Sequence, residues 1–281
     1  MKRSALAAAA AAAIVTAVAA GASSAPLAVR HVLETAQSGS IAAEFSYDYD
    51  STAYTFANER LAIHRAGAVV RDGPIAGASA TYEPEPANYF EHGSSVVVRD
   101  LDGDGEPEVV LDLYSGGAHC CEFSQVYRYA GGGYRVTTHT WWNPGVRLRD
   151  LDHDGLLEFV SGDNRFAYEF TDYADSAWPV KIWIYRGGRF RNVTQRYPAK
   201  IAADAATLWR WAFSRQQRGD NYGFLAAYAG DECALGRCAH AFARLETLRR
   251  AGRLRGHADD GSPSPYLMHL RRFLRETGYI R

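Results

Sequence analysis

The sequence has no long apolar run beyond its N-terminus and no concentrated stretch of basic residues. No segment after residue 25 holds eighteen uninterrupted apolar residues, so we predict no membrane span in the mature chain. The chain carries 31 basic and 32 acidic residues, and residues 202–281 are only modestly basic, with 13 against 8. Nucleic-acid binding requires a dense basic face with stacking aromatics, so we predict no nucleic-acid partner.

Recognisable catalytic motifs are also missing. The sequence contains no G-x-S-x-G elbow, no H-E-x-x-H pair and no P-loop. Isolated acids could still pair in space as a general acid and base, and these are Glu83, Glu85, Asp112 and Asp163. A deep pocket that collects Asp112, His119 or Asp163 would favour an enzyme, whereas a flat aromatic patch would favour a binding protein.

Cysteine is scarce, with two residues at Cys120-Cys121 and two at Cys233-x4-Cys238. Cysteines in an exported chain usually form disulfides, and four of them allow three pairings, among which the sequence does not choose. A Cys233–Cys238 bond is feasible because the glycine-containing stretch around these residues suggests a turn. A zinc site and a Cys–His nucleophile pair are weaker alternatives. Their candidate residues are His119, His240 and the four cysteines.

The sequence does contain the same acidic nonapeptide twice, fifty residues apart. Residues 100–108 and 150–158 both read D-L-D-x-D-G-x-x-E, and an arginine precedes each of them. Four carboxylates within nine residues repel one another unless a cation lies among them. Ca²⁺ fits best, because it accepts six to eight oxygen ligands at flexible angles.

Each nonapeptide can surround such an ion with side-chain and backbone oxygens. Positions 1, 3, 5 and 9 offer carboxylates, position 7 offers its carbonyl, and the glycine at position 6 permits the turn around the ion. We therefore predict two Ca²⁺ sites. Their ligands are Asp100, Asp102, Asp104, Glu106 and Glu108 in the first loop, and Asp150, Asp152, Asp154, Leu156 and Glu158 in the second.

These loops differ from an EF-hand, which needs a bidentate Glu at position 12 and a helix on each side. Position 12 is Leu111 in one copy and Ser161 in the other, and β-branched residues beside the loops predict strand–loop–strand units. A plain acidic hairpin turn is the alternative, because Asp-Gly is a common turn signal. Two copies that both keep every carboxylate favour metal binding.

The two nonapeptides resemble the calcium loops of FG-GAP/VCBS-type repeats, which occur in integrin-like β-propeller blades and in many exported bacterial proteins. The stretch 111–121 also resembles uncharacterised secreted bacterial proteins that carry this repeat. The resemblance implies calcium binding and antiparallel β-repeat sheets of a partly propeller-like kind.

Residues 1–25 are interpreted as an export signal. Lys2 and Arg3 precede an alanine-rich apolar stretch, and small residues then provide a cleavage site. An uncleaved anchor is the alternative. We therefore expect the mature chain to lie outside the cytoplasm, either secreted or in the cell envelope.

Residues 26–200 are predicted to form a β-repeat domain, because short alternating runs are separated by turn residues. Two units, 94–141 and 144–194, each contain an acidic loop, two strands and a hairpin with a glycine turn, and the second unit carries an insertion at 170–179. Early strands that form a candidate third unit without metal are predicted at 41–47, 53–56, 61–64 and 68–70.

Residues 201–281 are predicted to form a helical C-terminal subdomain. Asp204 or Thr207 is the expected N-cap of its first helix. Apolar residues three or four positions apart then predict two amphipathic helices, around 238–248 and 267–274. Arginines on their solvated faces leave docking to a membrane or a partner as an alternative to simple packing on the sheets.

Together these patterns indicate a mainly β protein with a C-terminal α part. We interpret it as an exported calcium-binding β-repeat module that binds or scaffolds a protein or glycan of the cell envelope, with no catalytic residues. A secreted hydrolase, with an acid/base pair that the sequence does not reveal, is the alternative function.

Overall fold

The computed structural model describes most of the chain after residue 27. The described ranges are 28–76, 84–89, 93–117, 120–214, 220–254 and 265–280, and only the backbone of Gly117 and Cys120 is described. The predicted export signal, Glu83 and His119 lie outside the described residues.

The first sheet is an antiparallel meander in which each strand pairs with the next. Its strands β1 to β4 are Val29–Ser38, Ile41–Asp50, Thr55–Arg65 and Ala68–Pro74. Strand β2 buries every second side chain, as a strand with one face on the core does. Of the strands predicted at 53–56 and 61–64, residues 55–56 and 61–64 belong to one strand, β3, and residues 53–54 lie in the turn before it. The sequence pattern misses β1 because most of its side chains are exposed.

The two predicted repeat units form two further antiparallel sheets. The second sheet contains β5 to β9, which are Glu85–Pro86, Val96–Arg99, Glu108–Gly117, Cys120–Ala130 and Gly133–Trp142. The third sheet contains β10 to β13, which are Arg147–Arg149, Glu158–Gly162, Val180–Arg186 and Arg189–Asn192. In each sheet the acidic loop joins a short strand to the strand with which it pairs, β6 to β7 and β10 to β11.

Apolar cores lie on both faces of the second sheet. Val109 and Leu111 of β7 pack in one core with side chains of the first sheet, whereas Val110 belongs to a core with Phe159 of the third sheet. Strand β7 therefore has three consecutive apolar residues, Val109 to Leu111, rather than an alternating pattern at this point. The mainly β class is confirmed, but the described strands form no closed barrel or propeller.

Four helices follow the sheets. They are α1 Pro198–Trp211, α2 Tyr222–Ala234, α3 Cys238–Arg250 and α4 Tyr266–Glu276. Helices α3 and α4 agree with the predicted amphipathic segments. Helix α1 starts at Pro198, which suits the first helical position, so Asp204 and Thr207 lie inside the helix and the predicted N-cap is wrong. Helix α2 is buried on almost every side and therefore has no amphipathic pattern.

The insertion of the second unit connects the third sheet to the helices. It occupies residues 163–179, between β11 and β12, and its Phe166 ring lies 4.9 Å from the Phe273 ring of α4. Gly230 of α2 is so close to the insertion that an added Cβ would lie 2.5 Å from the Pro179 ring. The insertion therefore belongs to the core of the helical part.

A disulfide joins Cys233 at the end of α2 to Cys238 at the start of α3, with Cα atoms 4.2 Å apart. Cys121 is also disulfide-bonded. The zinc hypothesis that used these thiolates is therefore wrong. No helix in the described part of the chain has the length and apolar character needed to cross a membrane.

Candidate functional site

The first acidic loop brings three carboxylates together. Oxygens of Asp100, Asp102 and Glu108 lie within 4.8 Å of one another. The loop turns tightly because Gly103 and Gly105 adopt positive φ angles, and their N–H groups donate to the two Asp100 oxygens at 2.7 and 2.9 Å. The Glu108 carboxylate lies at the start of β7 and accepts a hydrogen bond from the backbone N–H that follows Asp100.

Two oxygens of this cluster are buried without a hydrogen-bond donor. They are Oδ1 of Asp102 and Oε1 of Glu108, and the Glu108 residue is only 1% exposed. Burial raises the pKa of Glu108 to about 7, and the neighbouring Asp102 and Asp104 carboxylates act in the same direction. Buried oxygens without donors are costly unless a cation or proton satisfies them. The donor set, which consists of carboxylate oxygens alone, fits a hard divalent cation.

The second loop repeats this arrangement. Oxygens of Asp150, Asp152 and Glu158 lie within 4.8 Å of one another, and Oδ1 of Asp150 is buried without a donor. The Gly155 N–H donates to Asp150 at 3.1 Å, and the Leu151 N–H donates to Glu158 at 2.8 Å. Burial raises the pKa of Glu158 as well.

Of the other predicted ligands, the Asp104 and Asp154 carboxylates are not part of these two groups. Asp104 and Asp154 each accept a hydrogen bond from the backbone N–H two residues further on, which belongs to Glu106 or Leu156. The Glu106 carboxylate forms an ion pair with Arg65 of β3. The third aspartate of each loop therefore stabilises the turn, while the first, the second and the closing glutamate converge.

The two loops differ in their counter-charge. The Arg128 guanidinium of β8 lies 2.7 Å from Asp104, 3.7 Å from Asp102 and 3.5 Å from Glu108. In the aligned hairpin of the second unit this position is the apolar Ile184. The second cluster instead receives a hydroxyl, that of Tyr197, at 3.2 Å from Asp152. The first loop therefore contains a fixed protein cation, whereas a neutral hydroxyl takes this place in the second.

The loops also contact each other. Leu156 of the second loop lies against Gly103 of the first, where an added Cβ would be 3.6 Å from it. The turn between β12 and β13 reaches the first loop, where the Gly187 N–H donates to Asp102 Oδ2 at 3.0 Å. Arg186 donates to the Asp102 carbonyl at 3.0 Å. The two candidate cation sites therefore share one edge of the molecule.

A separate cleft, called the aromatic cleft below, has a volume of about 540 Å³. Its lining residues are His139, Trp141, Trp142, Ser161, Gly162, Asp163, Asn164, Arg165, Lys181, Trp183 and Asn192. Trp141 is 3% exposed and belongs to the core, whereas Trp142 is 50% exposed. Burial among the rings lowers the pKa of His139.

Asp163 anchors the polar end of the aromatic cleft. Its carboxylate accepts hydrogen bonds from Arg165 and from the Tyr279 hydroxyl, and Lys181 Nζ lies 3.3 Å away. Burial alone would raise the pKa of Asp163, but the hydrogen bonds and charges of Arg165 and Lys181 outweigh it and lower this pKa to about 2. Asp163 is therefore ionised at neutral pH and is unsuited to act as a general acid.

A second cavity of about 920 Å³, called the carboxyl cavity below, lies between the sheets and α1. Asp112, Glu122, Lys200 and Asp204 line it, and it shares Gly162 with the aromatic cleft. Burial raises the pKa of Asp112 to about 6 and shifts that of Asp204 in the same direction. The structure thus places Asp112 and Asp163 in different cavities with opposite pKa shifts.

Comparisons with known proteins relate parts of this chain to others. A family model described as the sll0997 C-terminal domain matches residues 201–278. The chain is 31% identical over 152 residues to a "Probable thylakoid lumen protein sll0997" of Synechocystis sp., covering 50% of this chain and 43% of the relative. It is also 31% identical over 120 residues to an "Uncharacterized protein y4bJ" of Sinorhizobium fredii, covering 42% of this chain and 17% of the relative. The matches therefore span less than half of either relative, and no solved structure matches.

These comparisons correct the assignment to FG-GAP/VCBS-type calcium repeats, which is wrong. The matching family model lies in the helical part, at 201–278, and no FG-GAP/VCBS family matches the chain. The resemblance depended on the spacing of carboxylates in a tight turn, and such a turn uses them to accept its own N–H groups, as Asp100 does. The division into domains stays a prediction.

Proposed function

We propose that this protein is a non-catalytic binding module outside the cytoplasm, and that its two acidic loops each hold a divalent cation, with Ca²⁺ as the ion. The observation that carries the proposal is the convergence of three carboxylates in each loop, with buried oxygens that lack a donor. The Synechocystis relative, named as a probable thylakoid lumen protein, supports a place outside the cytoplasm.

Asp100, Asp102 and Glu108 would hold the first ion, and the matching residues of the second loop would hold the second. Each cluster contains residues from both sides of a loop that joins two paired strands, so an ion there ties the strand ends together. Binding to the folded state alone stabilises it by about 2.7 kcal/mol when calcium is a hundredfold above Kd. The ions would thus have a structural role.

The test is thermal unfolding of the full chain in calcium and in a chelator, with calorimetry of calcium binding. We expect calcium to raise Tm, and Asp102→Ala and Asp152→Ala each to remove part of that rise. Asp72→Ala is the matched control, because Asp72 is an exposed aspartate outside the loops that pairs with Arg60. Equal melting in calcium and chelator, with no heat of binding, would disprove the proposal.

A hydrolase is the second candidate, and the carboxyl cavity favours it. Asp112, with a pKa of about 6, faces a cavity that also contains Glu122 and Asp204, so a proton donor and an acceptor could act together there. The test is a panel of chromogenic ester, phosphate and glycoside substrates. Turnover that Asp112→Asn abolishes would support the hydrolase, and no turnover across the panel would reject it for those substrates.

A further inference from the structure

The aromatic cleft has an unusual exposed tryptophan at its rim. Trp142, the last residue of β9, is 50% exposed and has a φ of 63°. A bulky residue in this left-handed region is a strained outlier, and such strain concentrates at functional positions. Trp183 and His139 form the adjoining wall, with ring centroids 4.8 Å apart. Ring faces and ring edges are thus available to a flat apolar partner surface.

The polar groups of the cleft are mainly donors. Oδ1 of Asn164 accepts from Asn143, and Oδ1 of Asn192 accepts from Thr194. In the described part of the chain, the Nδ2 atoms of Asn164 and Asn192 donate to no other residue. The indole N–H of Trp183 likewise finds no acceptor among the described residues. These N–H groups are therefore open to the acceptor oxygens of a ligand, such as hydroxyl or carboxylate oxygens.

The charge of the cleft is unbalanced. Arg165 and Lys181 supply two cationic groups, and Asp163 is the carboxylate that they face. The Asp163 oxygens are already occupied by Arg165, Lys181 and the Tyr279 hydroxyl. Asp231 also acts on Lys181, but burial raises the pKa of Asp231 and so favours its neutral form. Among the residues that line the cleft, one positive charge is therefore in excess, on side chains that are 49% exposed for Arg165 and 21% exposed for Lys181.

We propose that the aromatic cleft binds a sugar ring that carries a carboxylate, that is, a uronic-acid unit of a glycan. The C–H face of a pyranose packs on an indole, its hydroxyls accept from the amide and indole N–H groups, and its carboxylate balances Lys181. The volume of about 540 Å³ lies within the range of small-molecule sites. This inference rests on the proposed binding function and names its ligand class.

The experiment compares two probes that differ only in the acidic group, methyl β-glucuronide and methyl β-glucoside. Both are titrated by calorimetry into the full chain in calcium. We expect the glucuronide to bind at least roughly tenfold more tightly, because a charge-assisted hydrogen bond is added. Equal affinities, or no binding of either probe in the millimolar range, would overturn the proposal.

Variants locate the binding. Lys181→Met should weaken the glucuronide roughly tenfold or more and leave the glucoside unchanged, a difference that general unfolding would not produce. Trp142→Ala should weaken both probes. Trp211→Ala is the matched control, since Trp211 is 47% exposed on α1 outside the cleft, and it should change neither. Full glucuronide affinity in both Lys181→Met and Trp142→Ala would place the sugar elsewhere.

Thermal unfolding of the same samples, with calcium and with chelator, distinguishes a failure of the sugar proposal from a failure of the proposed cation sites. A calcium-dependent rise in Tm without glucuronide binding would reject the sugar ligand and leave the cation sites. Glucuronide binding without any effect of calcium would reject the cation sites and keep the ligand class.

Discussion

At the scale of single residues, Arg128 distinguishes two otherwise matching loops. Its guanidinium lies among the carboxylates of the first loop, whereas the Tyr197 hydroxyl takes this place at the second loop. A fixed guanidinium partly offsets the repulsion that an ion would otherwise relieve. Without calcium, the first loop should therefore be the more stable of the two.

Replacing Arg128 tests this difference. We expect Arg128→Met to destabilise the calcium-free protein by about 1–3 kcal/mol, because buried carboxylates lose their charged partner. In the presence of calcium the loss of stability should be smaller. The measurement is urea unfolding with calcium and with chelator. Arg135→Met on β9 is the control, because Arg135 is exposed and has no ion pair among the described residues. An equal loss in both conditions would contradict the prediction.

Asp112 gives a pH-dependent prediction. Burial raises its pKa from 3.8 to about 6, so between these two pH values the folded state keeps the proton that the unfolded chain has lost. A raised pKa stabilises the fold at low pH, and that contribution is lost as pH rises through about 6. In Asp112→Asn the new amide cannot ionise and can keep the hydrogen bond with Ser124. Relative to the wild type, the free energy of unfolding of this variant should thus rise by on the order of 1–3 kcal/mol as pH increases from 3.8 to about 6.

The measurement is denaturant unfolding across that pH interval, with Asp72→Asn as control. Arg60 lowers the pKa of Asp72, so its contribution is present at neutral pH and is lost in acid. That loss lies below the ordinary aspartate pKa of 3.8, so Asp72→Asn should keep a constant difference from the wild type as pH rises from about 4 to about 6, whereas Asp112→Asn gains stability. The same slope for both variants would refute the assignment of a buried, proton-retaining Asp112.

At this scale the sequence predicts which carboxylates lie together better than it predicts their surroundings. The repeated spacing identifies Asp100, Asp102 and Glu108 as neighbours, because a nine-residue turn closes on itself locally. It does not reveal Arg128 or Tyr197, because their positions depend on strand register and on the path of the chain after β13. Local geometry is encoded by spacing, whereas contacts across strands are not.

At the scale of elements, the periodicity of the sequence does not predict helix α2. Helices α3 and α4 have one apolar face, which gives a 3.6-residue period, while α2 lies between the insertion and the other helices and buries small residues all round. Gly230 is part of this packing, because it lets α2 approach Pro179 and Phe166.

Gly230→Ala should therefore destabilise the protein by about 1–3 kcal/mol through overpacking. In an unobstructed helix the same change would stabilise the protein by about 0.5–1 kcal/mol. The sign of the change in unfolding free energy therefore distinguishes a crowded position from an unobstructed one. Gly73→Ala in β4 is the control, since an added Cβ there meets no atom within 4 Å. The measurement is urea unfolding, and a stabilised Gly230→Ala variant would contradict the close packing.

At the scale of the whole molecule, the sequence predicts the class and the order of its parts but not their arrangement. Alternating runs and glycine turns define the strands of the two repeat units, because these signals are local. The stacking of three sheets, with β7 buried on both faces, depends on contacts between Val109 or Val110 and distant strands. The insertion likewise gains its role only by packing on the helices.

The contact between Leu156 and Gly103 has a consequence for how the protein would respond to calcium. A ligand that orders one loop changes the surface against which the other is held, and thermodynamic linkage makes such an influence mutual. We expect Asp152→Ala to weaken calcium binding at the intact first loop, and Leu156→Ala to remove this effect, both measured by calorimetry. Two loops coupled in this way would fill over a narrower range of calcium concentration than two independent ones.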